Sequence, residues 1–218
     1  MTNKEDILNS AKNVVRLLTP EQIKDIKDNG EFSLYNVNGK EYRLLDAKTV
    51  KVVVGEDYNF VFCKITGDFK RFGKTYEDDP EYSPVSPEIL DLEISVNGCP
   101  NKCPFCYKNN TNEPATNMSF DTFKKIVDSI PKFLTQIAFG ITGVQTNPDF
   151  IKMMEYSRKI GIIPNFTLSG FLQQYLIIGK TYSLYYSSKH FFLFVVVVVF
   201  SAKHCAVVYV KSCGIAPP

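Results

Sequence analysis

Acidic residues are missing from the end of this chain. All 23 aspartates and glutamates lie at or before Glu155, and the last 63 of the 218 residues carry only basic charges. Histidine is nearly absent as well, and both copies, His190 and His204, fall in that tail. Neither histidine stands at the spacing of paired zinc-finger ligands, and nor does Cys63, Cys205 or Cys213. The opening residues 1–6 are polar and nothing there resembles a signal peptide. The cysteines are accordingly expected as thiols in a reducing cytoplasm, not as a disulfide framework. No apolar run is long enough to cross a bilayer. The longest, Phe191–Phe200, covers ten residues, where a spanning helix takes about 20. A formal net charge of +2 gives no argument for nucleic acid or for an anionic membrane as a partner.

What is present reads as three segments: 1–88, 89–170 and 171–218. In the first, Ile7, Ala11, Val14 and Leu18 recur at helical spacing. Thr19-Pro20-Glu21-Gln22 has the form of a helix start, with a threonine cap and a glutamine three residues on. A β region follows. Asn38-Gly39 separates Phe32–Val37 from Glu41–Leu45 as a hairpin turn. Val50–Val54, Tyr58–Lys64 and Phe69–Phe72 read as further strands, with a turn at Thr66-Gly67-Asp68. Residues 74–88, acidic and bearing Pro80, Pro84 and Pro87, read as a linker. This segment is expected to be a small α+β extension that covers the core.

The middle segment alternates strand and helix. Ile89–Val96 predicts a buried first strand. Ser119 caps a helix with the apolar stripe Phe120, Phe123, Ile126, Val127 and Ile130. Gln136–Thr142 predicts a second strand suited to a parallel sheet, Asn147-Pro148-Asp149 opens a second helix, and Ile162–Leu168 predicts a third strand. The fold class expected is α/β, the first half of a partial (βα) barrel.

Between the first strand and its helix stand Cys99, Cys103 and Cys106. Three thiolates on one short loop can hold three irons of a [4Fe–4S] cluster, because soft sulfur suits iron–sulfur and zinc sites. The fourth iron then has no protein ligand, and a small molecule can bind there. The other reading is a structural zinc site. Zinc closes a tetrahedron, so it needs a further ligand from Cys63, His190, His204, Cys205 or Cys213.

The spacing of the three cysteines, with Phe105 in the aromatic slot, resembles the signature of radical S-adenosylmethionine enzymes. The resemblance covers about residues 89–170. It implies a partial barrel, a [4Fe–4S] cluster on Cys99, Cys103 and Cys106, and S-adenosyl-L-methionine on the open iron. Reductive cleavage would then produce a 5′-deoxyadenosyl radical that abstracts hydrogen from a substrate, with a flavodoxin or ferredoxin as electron donor. It also implies that Phe105 and Tyr107 flank the adenine, for which core packing is the alternative. Gly143 would meet the methionine end of the cofactor, although Gln145 stands where the family carries an acid. Ser169 would approach the ribose, where a simple turn role is the alternative.

The family pattern ends at Phe171. Three further βα units of roughly 30 residues each would complete the barrel, and 48 residues remain. Their apolar run has high β propensity and no charge, which makes it an aggregation hazard when exposed. The tail is either a divergent ending that adds one strand to the open barrel edge or non-native sequence, such as a shifted reading frame after a truncated gene. Loss of acids and of periodicity together favours the second.

Overall fold

A computed structural model describes residues 4–99, 106, 108–143 and 145–166, with the backbone alone of 196–201 and 204–209. The chain divides into two compact units. The first comprises Met1–Leu90, Asp128–Gln136 and Lys159–Ile163, and the second takes the rest.

The first unit opens with helices α1 (Lys4–Ser10), α2 (Lys12–Val15) and α3 (Pro20–Asn29). Thr19 accepts the Gln22 N–H and Gln22 reaches back to the Thr19 N–H, a complete capping box on α3. Five strands follow as a meander: β1 (Glu31–Val37), β2 (Lys40–Asp46), β3 (Val50–Val54), β4 (Asn59–Cys63) and β5 (Phe69–Phe72). Every neighbour in it is antiparallel. Short turns dictate this, because a parallel neighbour needs a crossover of a dozen or more residues. Asn38 and Gly39 both adopt positive φ, 51° and 79°. They set Val37 opposite Lys40, as the two-residue turn of a twisted hairpin requires.

Alternation sends the strand residues to two faces. On one, Leu45, Val50, Val52, Val61 and Phe72 pack with Ile7, Val14 and Ile26 of the helices. On the other, Tyr42, Leu44, Val53, Tyr58, Phe60 and Phe62 meet Phe133 and Ile163, supplied by the two later segments of the same unit. Phe60 touches Phe133 edge-on at 5.9 Å between ring centroids. The segment 74–88 is tied down. Arg71 bonds both Asp79 and Glu88, and Tyr58 donates to Glu88. Burial first, then that bond to Glu88, drives the Tyr58 hydroxyl far above its ordinary pKa.

One buried cation breaks the apolar rule. Lys51 on β3 is 2% exposed, and its Nζ donates to the Leu134 carbonyl at 2.7 Å. Its register partner is Asp46, which is itself paired with Lys64 at 2.6 Å. Burial pushes the Lys51 ammonium down to about 8, against the pull of Asp46.

A three-stranded sheet runs in the order β10 (Ile163–Phe166), β9 (Gln136–Gly140), β6 (Ile89–Glu93), with most of its residues in the second unit. The bonds from Thr135 N–H to Glu88 O and from Ile94 N–H to Gly140 O advance together, so β6 and β9 run parallel. The crossovers are α4 (Phe120–Ser129) and α5 (Phe150–Lys159). Ser119 accepts the Thr122 N–H at the start of α4, and Asp149 reaches over to accept the Phe120 N–H. Phe123, Phe139, Phe150 and Phe166 form the aromatic core, in contact from ring to ring.

The expected (βα) barrel is not the fold. Among the described residues the larger sheet is the antiparallel one, so the supposed small extension is the main β element, and the parallel part is a sheet of three strands. Both of its described edge strands are poorly suited to a further partner. The β6 strand, expected to be buried, alternates from exposed to half-buried, and Ile89 is 52% exposed. At the other edge Ile163 donates inward to Thr135. Pro164, the next residue and therefore facing outward, has no N–H to offer another strand. Nor does the described part of the tail's apolar run extend this sheet. Among the described residues, β11 (Val196–Ser201) pairs only with β12 (His204–Tyr209), as an antiparallel hairpin.

Candidate functional site

Beyond β6 the chain continues through Ile94 into β7 (Ser95–Val96), which pairs antiparallel with β8 (Thr116–Asn117). The cysteine loop leaves through the first strand and returns through the second. Its neck stays zipped past the strands: the Gly98 N–H donates to Glu113 O at 2.8 Å, and the Cys99 N–H to Thr111 O at 3.0 Å.

Side chains bind the two sides of this neck. The Asn97 N–H donates to Asn110 Oδ1 at 2.9 Å. Asn97 Oδ1 accepts the Thr111 N–H at 3.2 Å and the Thr111 hydroxyl at 3.3 Å. Asn97 and Gly98 both hold positive φ, 63° and 66°. At Gly98 an added Cβ would stand 3.0 Å from the Ala115 Cβ, so glycine answers both conformation and space there. Asn109, at φ 49°, turns the chain after Cys106.

Cys99 and Cys106 are each half-buried on this closed loop. The Asn110 backbone N–H lowers the Cys106 thiol below its ordinary range. The N–H groups of Lys108 and Asn109 and the Lys108 charge add to it, and burial opposes. Hydrogen bonds to sulfur and a nearby cation favour thiolate, the form that ligates metal. Lys108 is anchored by Glu93 at 2.6 Å. Glu93 lies so close over Gly140 that a Cβ there would meet its carboxylate at 2.7 Å.

Beside the loop, at the carboxyl end of β9, sits a small polar network. Ser95, 1% exposed, reaches Asn117 Oδ1 at 2.9 Å and Thr146 Oγ1 at 3.0 Å. Gly143 forms the turn there. Its N–H donates to Thr146 Oγ1 at 3.2 Å, and its carbonyl accepts the Thr146 hydroxyl at 2.6 Å. Both backbone groups of Gly143 are thus engaged in closing their own turn. Asn147, 2% exposed, donates to Ile94 O and Met118 O and holds the base of the cysteine excursion.

Of the residues singled out from sequence, Cys99, Cys106 and Gly143 are placed in this unit. Cys103, Phe105, Tyr107 and Ser169 lie outside the described residues, as do the side chains of the tail. Among the described residues no three His, Cys, Asp or Glu side chains are grouped to hold a metal ion. The two described thiols of the loop, Cys99 and Cys106, suit a soft-metal donor set by their chemistry, since they leave one zipped neck and Cys106 is held toward thiolate. Sequence reasoning passed over Asn97, Asn110, Thr111 and the Glu93–Lys108 pair. The Asn97-Gly98 dipeptide was the available signal, carrying the same left-handed turn chemistry as Asn38-Gly39 immediately before the first cysteine.

Among the described residues no helix is long and apolar enough to cross a membrane. No protein-family model, no curated protein and no solved structure matches the chain.

Proposed function

We propose that the chain binds a [4Fe–4S] cluster through Cys99, Cys103 and Cys106, and that S-adenosyl-L-methionine occupies the iron left without a protein ligand. The observation that carries this reading is the zipped loop. It draws Cys99 and Cys106 into one excursion between β7 and β8, with backbone N–H groups turned toward the Cys106 sulfur. Hydrogen bonds of that kind tune iron–sulfur sites. The Gly143 turn is the candidate contact for the cofactor's methionine end, with Phe105 and Tyr107 for its adenine and Ser169 for its ribose. When bound, the pair supplies a 5′-deoxyadenosyl radical from a donated electron, as in the radical S-adenosylmethionine enzymes whose cysteine spacing the chain shares. The electron donor would be a flavodoxin or ferredoxin, and the compartment the cytoplasm.

Anaerobic reconstitution with iron and sulfide tests the reading. The expected product is coloured, with about four irons per chain, and its reduced paramagnetic signal changes on adding S-adenosyl-L-methionine. Cys99→Ala, Cys103→Ala and Cys106→Ala should each abolish it, while Cys63→Ala should not. Full iron retention in Cys103→Ala would sink the assignment. A colourless chain retaining zinc instead would establish the non-catalytic zinc-binding alternative.

A further inference from the structure

We infer that the outer edge of β1 is a self-association surface, where a second copy of this chain adds its own β1 about a two-fold axis at Leu34. β1 ends the five-stranded sheet, and among the described residues no strand pairs with its outer side. The two-residue turn at Asn38-Gly39 makes Val37 and Lys40 a hydrogen-bonded pair. Bonded and non-bonded pairs alternate along an antiparallel ladder, so Glu31, Ser33, Tyr35 and Val37 give their N–H and C=O to β2. The N–H and C=O of Phe32, Leu34 and Asn36 therefore point outward from the edge. The side chains of the same three residues are exposed, the two apolar ones at 40% for Phe32 and 46% for Leu34.

The two edges of this sheet are built differently. β5 has four residues, two of which are Lys70 and Arg71, and the chain folds back behind it. The Gly73 N–H donates to Asp78 O, and Arg71 bonds Asp79 and Glu88. Short length, charge and a covering segment are the devices that keep a sheet edge from pairing. Among the described residues β1 has none of them. It runs seven residues in unbroken register and holds no lysine, arginine or proline. Its one charge, Glu31 at the end, is matched by Lys132 at 2.6 Å.

A second copy is the occupant because the edge is complementary to itself. Two such strands related by a two-fold axis run antiparallel, as every neighbour in this sheet does. With the axis at Leu34, the midpoint of Glu31–Val37, all seven residues overlap. Phe32 then exchanges backbone bonds with Asn36 of the second copy, and Leu34 with its own counterpart. The two Leu34 side chains meet at the axis, and each Phe32 lies diagonal to the other copy's Leu34. Glu31 faces Val37, so no like charges are opposed. Such a contact is small beside the roughly 1,000 Å² that a stable interface buries, so the dimer forms and dissociates with concentration. Nothing in the pairing involves the cysteine loop.

Sedimentation velocity of the metal-free full-length chain, under reductant and from low to high micromolar concentration, is the test. The weight-average mass should rise toward twice that of the monomer. Leu34→Lys and Leu34→Glu each set like charges against one another at the axis, and each alone should weaken association by about tenfold or more. Mixed in equal amounts the two should associate again, because only a two-fold axis at this residue brings one against the other. Leu34→Pro removes an outward N–H that β2 does not use and should also stay monomeric. Should it fail to fold, the charge variants carry the test. A wild-type chain monomeric throughout would overturn the inference, as would association unchanged in both charge variants, which would assign it to another surface. Loss of association in both without recovery in the mixture would also overturn it, since the edge would then pair in another register or with another segment.

Discussion

The β1–β2 hairpin and the cysteine excursion begin alike and end differently. Each enters on Asn-Gly with both residues at positive φ: 51° and 79° at Asn38-Gly39, 63° and 66° at Asn97-Gly98. After the first pair the chain folds straight back, and Val37 faces Lys40. After the second it departs, and Gly98 finds its partner only at Glu113. The residues after each dipeptide decide the outcome. Lys40–Asp46 alternates and can pair residue by residue with β1, whereas Cys99 is succeeded by Pro100 and then Pro104, which lack the N–H a returning strand needs. The same local dihedrals therefore make a turn in one region and the gate of a loop in the other. The hairpin is held by a ladder and an apolar face, the loop by its zipped neck and side-chain amides.

Four substitutions would break or sharpen that contrast. Phe60→Ala should have the largest effect, since the ring is fully buried against Tyr58, Phe69 and Phe133. Loss of about 3–5 kcal/mol in a denaturant titration is expected, and a smaller loss would mean the sheet is not the stable part of the molecule.

Next comes Lys51→Met. The folded-state pKa of Lys51, about 8, lies below its value in the unfolded chain, so the unfolded state binds more protons between the two. Stability contributed by this site should therefore rise as pH climbs from about 8 to about 10.5, by about 2–3 kcal/mol. Methionine should remove that rise and stabilise the protein at neutral pH. Parallel stability curves for the two proteins across this window would contradict the burial argument.

The smallest effect compares the two glycines directly. Gly39→Ala meets nothing within 4 Å, so only its φ of 79° is strained, at a cost of about 1–2 kcal/mol. Gly98→Ala adds a contact at 3.0 Å with Ala115 and should cost about 1 kcal/mol more. Equal unfolding midpoints for the two variants would show that the neck yields as readily as the open turn.

Much of the first unit could be read in advance. The capping box at Thr19 and Gln22, the Asn38-Gly39 turn and the stripe Ile7, Ala11, Val14, Leu18 are local patterns, and each shapes the structure where it stands. The parallel strands were less legible. Ile89–Val96 is apolar enough to suggest a buried strand, yet it breaks at Ile94, and its first part is an exposed edge. Burial depends on which neighbours arrive, and no stretch of eight residues encodes that. In the candidate site the cysteine spacing was plain, while the hydrogen bond between Asn97 and Asn110 was not, because it joins residues that meet only once the neck has closed.

By itself, the sequence determined the turns and the helix starts, which depend on residue type and short spacing. Tertiary structure alone decided that the five-stranded antiparallel sheet outweighs the parallel one. It also decided that Lys51 is buried against a carbonyl of a segment more than eighty residues away, and that two asparagines hold the cysteine loop at its neck. The physical reason is the range of the forces. Backbone strain and capping act within a few residues, while burial and ladder pairing are set by whichever distant segments come to lie alongside.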